Sequence, residues 1–254
     1  MGITNNQKDP YGVKEIQVYY LPVMDDFHAF CLSHGIRYSL SGGSLLGAVR
    51  HHGFIPWDDD VDVMFDRDNY DRLLNAFRAD PMVGYEIIGS SWVKRISKTD
   101  NPLKEKEEQC LDLFVFDPVP ANKITARLKI LTIKALQGMM KEKPEYARFS
   151  LPYRVLLFAT WLMGRPFSQE TKIRWYDAVS RSGKPGDRIN IYNTWFNQVG
   201  RLEFDKHITD GYILLCFEGR EYMSIQGYDS YLTTLYGDYM QLPPEDMRAP
   251  THTK

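Results

Sequence analysis

Apolar and polar residues follow clear periods over the first part of the chain. Between residues 13 and 34 the apolar residues recur at steps of three and four, which predicts an amphipathic helix. Over residues 36–41 they alternate with polar residues, which predicts a strand that runs into Gly42 and Gly43. A short helix is expected over residues 44–50. The chain is therefore expected to begin with a helix, a strand and a second helix that follows a glycine turn.

A second strand is predicted over residues 60–65, where apolar side chains occupy one face and Asp60 and Asp62 occupy the other. Because strand side chains alternate with a period of two, these two carboxylates project to the same side, about 6 to 7 Å apart. A covering helix is predicted over residues 67–78, with Asp66 as its N-cap. One face of this strand is expected to pack in the core, and the other face is available for chemistry.

More periodic segments follow. Strands are predicted over residues 85–88, 92–97 and 110–116, and helices over residues 124–140, 153–162 and 228–236. Pro118 and Pro120 are expected to end the last of these strands, because proline cannot donate a hydrogen bond to a sheet. Beyond Ala121 the composition shifts to helix formers with long apolar faces. We therefore divide the chain into a first part, 1–120, and a mostly helical second part, 121–254.

Composition narrows the class of protein. The 254 residues carry a formal net charge of -2, and the pI is near 6.3, so there is no bulk electrostatic attraction to nucleic acid. Residues 1–10 lack the basic and then apolar order of a secretory signal, and no apolar run approaches the roughly 20 residues of a membrane-spanning helix. Three widely spaced cysteines in apolar contexts are typical of reduced core thiols: Cys31, Cys110 and Cys216. We expect a soluble cytoplasmic protein.

Four carboxylates occupy five positions of the sequence, at Asp58, Asp59, Asp60 and Asp62. Like charges this close repel one another unless a cation, a basic partner or water compensates them. Mg²⁺ suits this set, because it prefers hard oxygen ligands and is usually held by one or two carboxylates together with substrate phosphates. Mn²⁺ is the alternative metal. Asp112, a single charge in an apolar run, is the best candidate for a third carboxylate.

Two other interpretations apply to the acidic cluster. By itself, it is also typical of a solvated acidic loop. A calcium-binding loop is disfavoured, because the required glycine and the distant bidentate glutamate are both missing.

The turn Gly42-Gly43-Ser44 lies within twenty residues of the aspartates. Glycines let backbone amides come close to a ligand, and the N-terminus of the following helix favours phosphate. Alone, such a turn is an ordinary connection between a strand and a helix. Together with the aspartates it supplies oxyanion donors and a metal clamp, the two components that phosphoryl or nucleotidyl transfer requires.

Three further side chains are candidates for substrate binding. Arg50 is a candidate for phosphate and is preferred over the two histidines that follow it. Trp57 either stacks on a base or a cationic headgroup, or anchors its loop in the core. Lys98 is either a neighbour of the phosphates or an ordinary surface charge, and the same holds for Arg95.

Residues 43–63, from Gly-Ser-Leu-Leu-Gly through Trp-Asp-Asp-Asp-Val-Asp-Val, closely resemble the signature of the LicD family of phosphocholine transferases. Three further segments are similar to the same family: 111–120, 217–220, and 228–232 leading into 235–240. The resemblance extends over roughly residues 14–246 and is clearest in the first 120.

This resemblance implies an α+β fold of the nucleotidyltransferase type, with a small mixed β-sheet flanked by helices. The catalytic core would lie in 1–120, and the mostly helical 121–254 would complete the substrate cleft. The implied reaction moves phosphocholine from CDP-choline to a sugar hydroxyl of a cell-surface glycan, of the teichoic acid or lipopolysaccharide type. Relatives are expected to move other alcohol phosphates, such as ribitol phosphate, from a CDP-alcohol donor.

The same resemblance assigns roles to individual residues. Asp60 and Asp62 would hold the metal against the diphosphate, while Gly43 and Ser44 donate hydrogen bonds to its oxygens. Asp112 would complete the metal shell or accept the proton of the acceptor hydroxyl. We expect these carboxylates to be ionised at neutral pH.

Three alternatives stay open at this point. The turn and the aspartates would also suit a nucleotidyltransferase that adenylylates a small molecule such as an aminoglycoside, and a catalytically silent binding module is a second reading. The acceptor could be a lipid-linked sugar at the inner face of the membrane, in which case basic residues beside apolar stripes of the helical middle could rest on the membrane, although packing inside the molecule is favoured. These basic residues are Arg127, Lys129, Lys134, Arg148 and Arg154.

Overall fold

The computed structural model describes residues 9–89, 92–100, 109–142 and 151–250. Two predictions fall partly outside these ranges. The prediction about a secretory signal concerns residues 1–10, of which only 9 and 10 are described, and the list of basic residues in the helical middle includes Arg148, which is not described. Among the described residues, no helix is long and apolar enough to cross a bilayer.

The first elements agree with the predicted order. Helix α1 (Lys14–Ser33) places its apolar side in the core, and strand β1 (Ser39–Leu40) is shorter than predicted. Helix α2 (Gly42–His51) begins two residues earlier than predicted, because Ser41 has extended backbone and Gly42 turns the chain with a φ of 51°. A left-handed φ of this kind favours glycine.

The next elements confirm the predicted strand and its covering helix. They are β2 (Val61–Asp66), α3 (Arg67–Ala79), β3 (Tyr85–Ile88), β4 (Lys94–Lys98) and β5 (Leu111–Pro120). The Asp66 side chain accepts a hydrogen bond from the backbone N–H of Asn69, which confirms the predicted N-cap. Asp60 lies just before the strand rather than inside it.

The strands of the main sheet lie in the order β1-β2-β5-β4-β3. Strands β2 and β5 are parallel, and the other pairs in this sheet are antiparallel, so the sheet is mixed as predicted. Its central strands carry fully buried apolar side chains, such as Val61 and Leu111, beneath α1. The predicted α+β class is confirmed.

Strand β5 continues through Pro118, so the prediction is wrong for this proline, and the strand ends at Pro120 as predicted. The second half of β5 pairs with β6 (Pro185–Ile191), and the register shifts between Pro118 and Pro120. Such an irregularity accommodates prolines that a regular ladder would exclude. The carbonyl of Pro118 accepts a hydrogen bond from Lys129 Nζ at 2.8 Å, so it is satisfied outside the sheet.

The second part of the chain contains more helix than strand, as predicted. Its helices are α4 (Lys123–Met140), α5 (Leu151–Gly164), α6 (Gln169–Arg181) and α7 (Tyr228–Tyr236). It also contains strands that the pattern did not predict: β6, β7 (Phe204–Asp205), β8 (Tyr212–Phe217) and β9 (Arg220–Ile225). Because β6 pairs with β5, the two predicted parts share one sheet.

The apolar side chains form two clusters. The larger cluster joins α1, the main sheet, the β8–β9 hairpin and α7, and the smaller cluster lies between α4, α6 and the segment after β6. Cys31 and Cys110 are buried, as predicted, whereas Cys216 is exposed and the core prediction is wrong for it. The main cluster supports the central strands that carry Asp62 and Asp112.

Candidate active site

Three charged side chains form one row across the main sheet. Asp62 on β2 lies directly opposite Asp112 on β5 in the parallel register. Asp112 lies in turn directly opposite Arg95 on β4 in the antiparallel register. Residues paired in this way project to the same face of the sheet. The structure therefore brings Asp112 beside Asp62, as the sequence led us to expect.

Arg95 supplies the local positive charge of this row. Its Nε donates a hydrogen bond to Asp112 Oδ1 at 2.7 Å, and both side chains are partly exposed. Burial opposes the charge of Arg95, but Asp112 and Asp62 outweigh it and raise the pKa of the guanidinium. Arg95 was considered as a phosphate neighbour from the sequence, whereas its pairing with Asp112 depends on strand register that the sequence does not show.

The negative charge of Asp62 is strongly disfavoured by its surroundings. Burial is the largest cause, followed by the carboxylates of Asp60, Asp112 and Asp58, and together they raise the pKa of Asp62 well above its usual range. This works against the expectation that all of these carboxylates are ionised at neutral pH. A bound cation would reverse the balance, because it favours the charged form.

The glycine turn lies directly against the aspartates. A Cβ on Gly42 would lie 3.0 Å from Asp62 Oδ2, and a Cβ on Gly43 would lie 2.6 Å from Asp58 Oδ2. The second distance is shorter than real Cβ contacts allow, so a larger residue at position 43 would displace the Asp58 carboxylate. The predicted contact between the turn and the carboxylates is therefore present, and it includes Asp58 as well as Asp62.

Ser44 fastens helix α2 to strand β2. Its Oγ accepts a hydrogen bond from the backbone N–H of Asp62 at 3.0 Å, and the residue is only 2% exposed. The side chain thus positions Asp62. The backbone N–H groups of Gly43 and Ser44 lie in the first turn of α2, where helix geometry provides no intrahelical acceptor. These N–H groups are the available donors for an anion.

Helix α7 adds two tyrosines to the site that the sequence did not identify as site residues. Tyr231 Oη accepts a hydrogen bond from the backbone N–H of Gly42 at 3.3 Å and lies 3.0 Å from Ser41 Oγ. Burial raises the pKa of Tyr231 to about 12. The Oη of Tyr236 lies 3.9 Å from the Cβ position of Gly42, and this residue is 45% exposed. The only signal in the sequence was the family resemblance of residues 228–240.

The loop that carries Asp58 is held from two sides. Gln17 Nε2 donates to the backbone carbonyls of Ile55, at 3.1 Å, and Asp58, at 2.8 Å. From the β8–β9 turn, Glu218 Oε1 accepts from the backbone N–H of Phe54 at 3.2 Å. The backbone N–H of Glu218 donates to the carbonyl of His52 at 2.8 Å. These contacts give a structural reason why segment 217–220 resembles the LicD family together with the aspartate loop.

Arg50 and Trp57 both face the C-terminal segment. Arg50 Nη1 donates to the backbone carbonyl of Tyr239 at 2.8 Å. The ring of Trp57 makes an edge contact with Tyr11 at 5.8 Å, and the guanidinium of Arg248 lies 5.7 Å from its centroid. Arg50 thus supports the end of the chain, and Trp57 has the loop-anchoring contacts that were one of its two interpretations.

Lys98 lies apart from the row of Asp62, Asp112 and Arg95, which we call the carboxylate row. Its Nζ lies 5.6 Å from the ring centroid of Tyr19 and 5.9 Å from that of Tyr85. Because Lys98 is three positions from Arg95 on β4, the two side chains project to opposite faces of the sheet.

Among the described residues, no three His, Cys, Asp or Glu side chains are already arranged as a metal cage. The donor set nevertheless fits a hard cation, because it consists of oxygens that carry excess negative charge around Asp62. Asp60 and Asp62 would hold the ion with oxygens of a bound phosphate, and Asp112 stays a predicted third ligand. The residues fit Mg²⁺ held partly by substrate rather than by protein alone.

A family model described as LicD/FKTN/FKRP, nucleotidyltransferase domain, matches residues 35–143. The chain is 29% identical over 260 residues to the lipopolysaccharide cholinephosphotransferase LicD of Haemophilus influenzae, covering 94% of this chain and 96% of that protein. It is also 69% identical over 29 residues to the ribitol 5-phosphate transferase FKRP of Homo sapiens, which covers 11% of this chain and 6% of that protein. The matched domain contains the glycine turn, the aspartate loop and the charged row. Residues 35–143 thus match the LicD family.

Proposed function

We propose that this transferase moves phosphocholine from CDP-choline to a sugar hydroxyl of a cell-surface glycan, of the lipopolysaccharide or teichoic acid type, in a metal-dependent reaction. The supporting observation is that the glycine turn, Asp58, Asp62 and Asp112 lie together in a chain similar along its length to a lipopolysaccharide cholinephosphotransferase. In the reaction, the acceptor oxygen bonds to the phosphorus that carries choline, and the bond from that phosphorus to the CMP oxygen breaks. CMP leaves with the electron pair, and the hydroxyl proton passes to a base.

The chain's own groups divide the work. The N–H groups of Gly43 and Ser44 are placed to bind diphosphate oxygens at the start of α2. Asp60 and Asp62 would hold Mg²⁺, or Mn²⁺, which when bound supplies positive charge to offset the diphosphate and the leaving CMP. Ser44 keeps Asp62 in place through the hydrogen bond to its backbone.

Asp112 has two candidate roles: ligand of the metal, or acceptor of the hydroxyl proton. Its contact with Arg95 fixes the carboxylate next to Asp62 in either role. The two roles differ in their pH dependence, because loss of a base changes the pH profile of kcat whereas loss of a metal ligand raises the Mg²⁺ concentration that the reaction needs.

A choline headgroup would be recognised by aromatic faces, which attract quaternary ammonium groups. Tyr236 is the partly exposed aromatic residue beside the turn, and we assign it to the headgroup. Trp57 is the second candidate, although its ring already contacts Tyr11 and Arg248.

The alternative is transfer of another alcohol phosphate, such as ribitol phosphate, from a CDP donor. The short match of 69% identity to a ribitol 5-phosphate transferase favours this second candidate. Nucleotidyl transfer to a small molecule uses the same turn and carboxylates but releases pyrophosphate rather than CMP.

The deciding experiment incubates the full chain and Mg²⁺ with CDP-choline, CDP-ribitol or ATP, in the presence of an acceptor oligosaccharide. We expect acceptor-dependent CMP release with CDP-choline, and none after chelation of the metal. Turnover with CDP-ribitol alone would move the assignment to the second candidate, and pyrophosphate release from ATP would overturn both.

The proposed partners and location follow from this chemistry. The donor is a CDP-alcohol, and the acceptor is a glycan or a lipid-linked sugar at the inner face of the membrane, so we place the protein in the cytoplasm. The net charge of -2 gives no reason to include nucleic acid among the partners.

A further inference from the structure

Helix α5 has an unusual composition for a helix at a protein surface. Its sequence, Leu-Pro-Tyr-Arg-Val-Leu-Leu-Phe-Ala-Thr-Trp-Leu-Met-Gly, contains one basic and no acidic residue among 14. This length is well short of the roughly 20 residues needed to cross a bilayer. Apolar segments of this length are typically either buried core helices or helices that lie at a membrane interface.

The core alternative does not fit α5. Buried positions lie along one narrow side, at Leu157, Thr160 and Gly164. There α4 approaches closely, since a Cβ on Gly138 would lie 2.3 Å from Thr160 Oγ1 and one on Gly164 would lie 2.4 Å from the Met139 carbonyl oxygen. Within the described ranges, α5 thus packs closely against α4 through small residues along this side.

The side of α5 that points away from α4 is a continuous apolar stripe. At 100° per residue, Leu151, Val155, Phe158 and Leu162 follow one another along the helix. They are exposed by 73%, 62%, 50% and 55%, respectively. We call these four residues the α5 stripe. Exposed apolar surface of this kind marks an interaction site in a folded protein.

Charge identifies the class of partner. Residues 121–168 contain nine Lys or Arg and two Asp or Glu, a net charge of +7 in a chain whose net charge is -2. Arg154 lies on one flank of the α5 stripe, and Arg165 directly follows the last residue of α5. Apolar surface flanked by basic residues matches an anionic bilayer surface, where each basic residue adds to the attraction. A second copy of the chain would instead bring together two segments of the same net positive charge.

Aromatic side chains near the C-terminal end of α5 support the choice of a bilayer as the partner. The guanidinium of Arg165 lies 5.2 Å from the ring centroid of Trp161, and the rings of Phe167 and Trp175 are 4.7 Å apart. Phe167 is 43% exposed and Trp175 is 38% exposed. Aromatic rings of this kind are enriched at the headgroup level of membranes.

We propose that the α5 stripe inserts into the interfacial region of an anionic phospholipid bilayer, with Arg154 and Arg165 at the headgroups and α5 lying along the surface. The inference extends the proposed function, since it would bring the transferase to acceptors carried on lipid. Its evidence is independent of the donor and of the reaction.

The test is flotation of the full chain with vesicles of phosphatidylcholine, and with vesicles of phosphatidylcholine and phosphatidylglycerol in equal parts. We expect binding to the anionic vesicles that weakens as salt is raised, and weak binding to the neutral ones. The double variant Val155→Glu, Leu162→Glu should lower the partition coefficient by about tenfold or more, because two apolar anchors become charged. The matched control, Val83→Glu with Met247→Glu, changes two residues exposed by 97% and 67% elsewhere and should bind as the unaltered protein does.

Circular dichroism and the transfer of phosphocholine to a soluble acceptor report whether the variants fold. The same transfer assay tests the proposed function separately from vesicle binding. Three results would overturn the inference: no vesicle binding at low salt, equal binding by the α5 variant and the control, or a dimer in solution that the α5 variant converts to a monomer. A chain that floats with anionic vesicles but transfers nothing from CDP-choline would leave the docking surface in place and remove the proposed reaction.

Discussion

The carboxylate row and helix α5 differ in which side chains they hold in place and which they expose. The row holds charged side chains in fixed positions, whereas α5 exposes apolar side chains. In the row, strand register fixes Asp62 and Asp112. Residues from distant parts of the chain support their surroundings: Tyr231 contacts the glycine turn, and Glu218 contacts the aspartate loop. Helix α5 is held on one side by small residues and presents apolar side chains outward. The first region concentrates charge in a fixed geometry, which suits catalysis, while the second offers surface without fixed partners, which suits docking.

The largest effect is expected from Asp62→Asn. Removing this carboxylate should lower the rate of CMP release by about a thousandfold, because a metal clamp contributes several kcal/mol to the transition state. The melting temperature should not fall, since the change also removes a charge whose neighbours repel it. Asp246→Asn, at an exposed position, is the control and should change neither quantity. A fully active Asp62→Asn enzyme would remove the metal role.

Gly43→Ala is expected to have the next largest effect. The added Cβ would lie 2.6 Å from Asp58 Oδ2, so the turn or the loop must move, and transfer should slow by about a hundredfold. The second variant, Gly43→Ala with Asp58→Ala, removes the clash and should return the melting temperature toward its original value. If Gly43→Ala alone turned over normally, the close contact between turn and loop would have no catalytic role.

Arg95→Gln should have a smaller effect and lower kcat by about tenfold. It leaves Asp112 without its 2.7 Å partner while Asp62 stays nearby, so the third carboxylate loses its fixed position. Arg95→Lys should recover part of the rate. The measurement is the pH profile of kcat, which should change if Asp112 accepts the proton. Unchanged kcat in Arg95→Gln would show that this ion pair does not position the reacting groups.

The pH dependence of stability follows from the raised pKa of Asp62. A carboxyl with a higher pKa in the folded protein than in the unfolded chain binds its proton more tightly when folded. Its contribution is therefore fully present below the unfolded pKa and is lost as the pH rises through the folded pKa. We expect the metal-free protein to lose a few degrees in melting temperature over that rise, and Mg²⁺ to restore it. The same rise should have no such effect in Asp62→Asn.

Lys98→Ala is expected to have the smallest effect. Its Nζ lies near the rings of Tyr19 and Tyr85, and its side chain projects away from the carboxylate row. The KM for CDP-choline should change by less than about twofold, because no phosphate contact is lost. A tenfold rise in KM would show that the lysine reaches the donor and would extend the site across the sheet.

Local periodicity was enough to predict the elements that carry the aspartates. The alternation around Val61 and Val63 placed the Asp62 carboxylate on the open face, and the single charge in the apolar run 111–116 identified Asp112. Both rules hold because a strand exposes alternate residues whatever its partners are. The course of β5 through Pro118 could not be predicted in this way, since it depends on pairing with β6 about 70 residues later in the chain.

The contacts that complete the site were not predicted for the same reason. Tyr231 reaches Gly42 across 189 positions of sequence, and Glu218 reaches Phe54 across 164. Tyr231 fits the periodic pattern of α7, and Glu218 lies in a turn between two strands, so no local rule identifies either residue. The pairing of Arg95 with Asp112 likewise depends on which strand lies next to β5, and this information is global.

The hold of Glu218 on the aspartate loop has a consequence for synthesis of the protein. A nascent chain that has released only residues 1–120 already contains Asp60, Asp62 and Asp112, but it lacks the hairpin that fastens the loop and the helix that braces the turn. The proposed site is therefore complete only after residues up to the end of α7 at Tyr236 have left the ribosome.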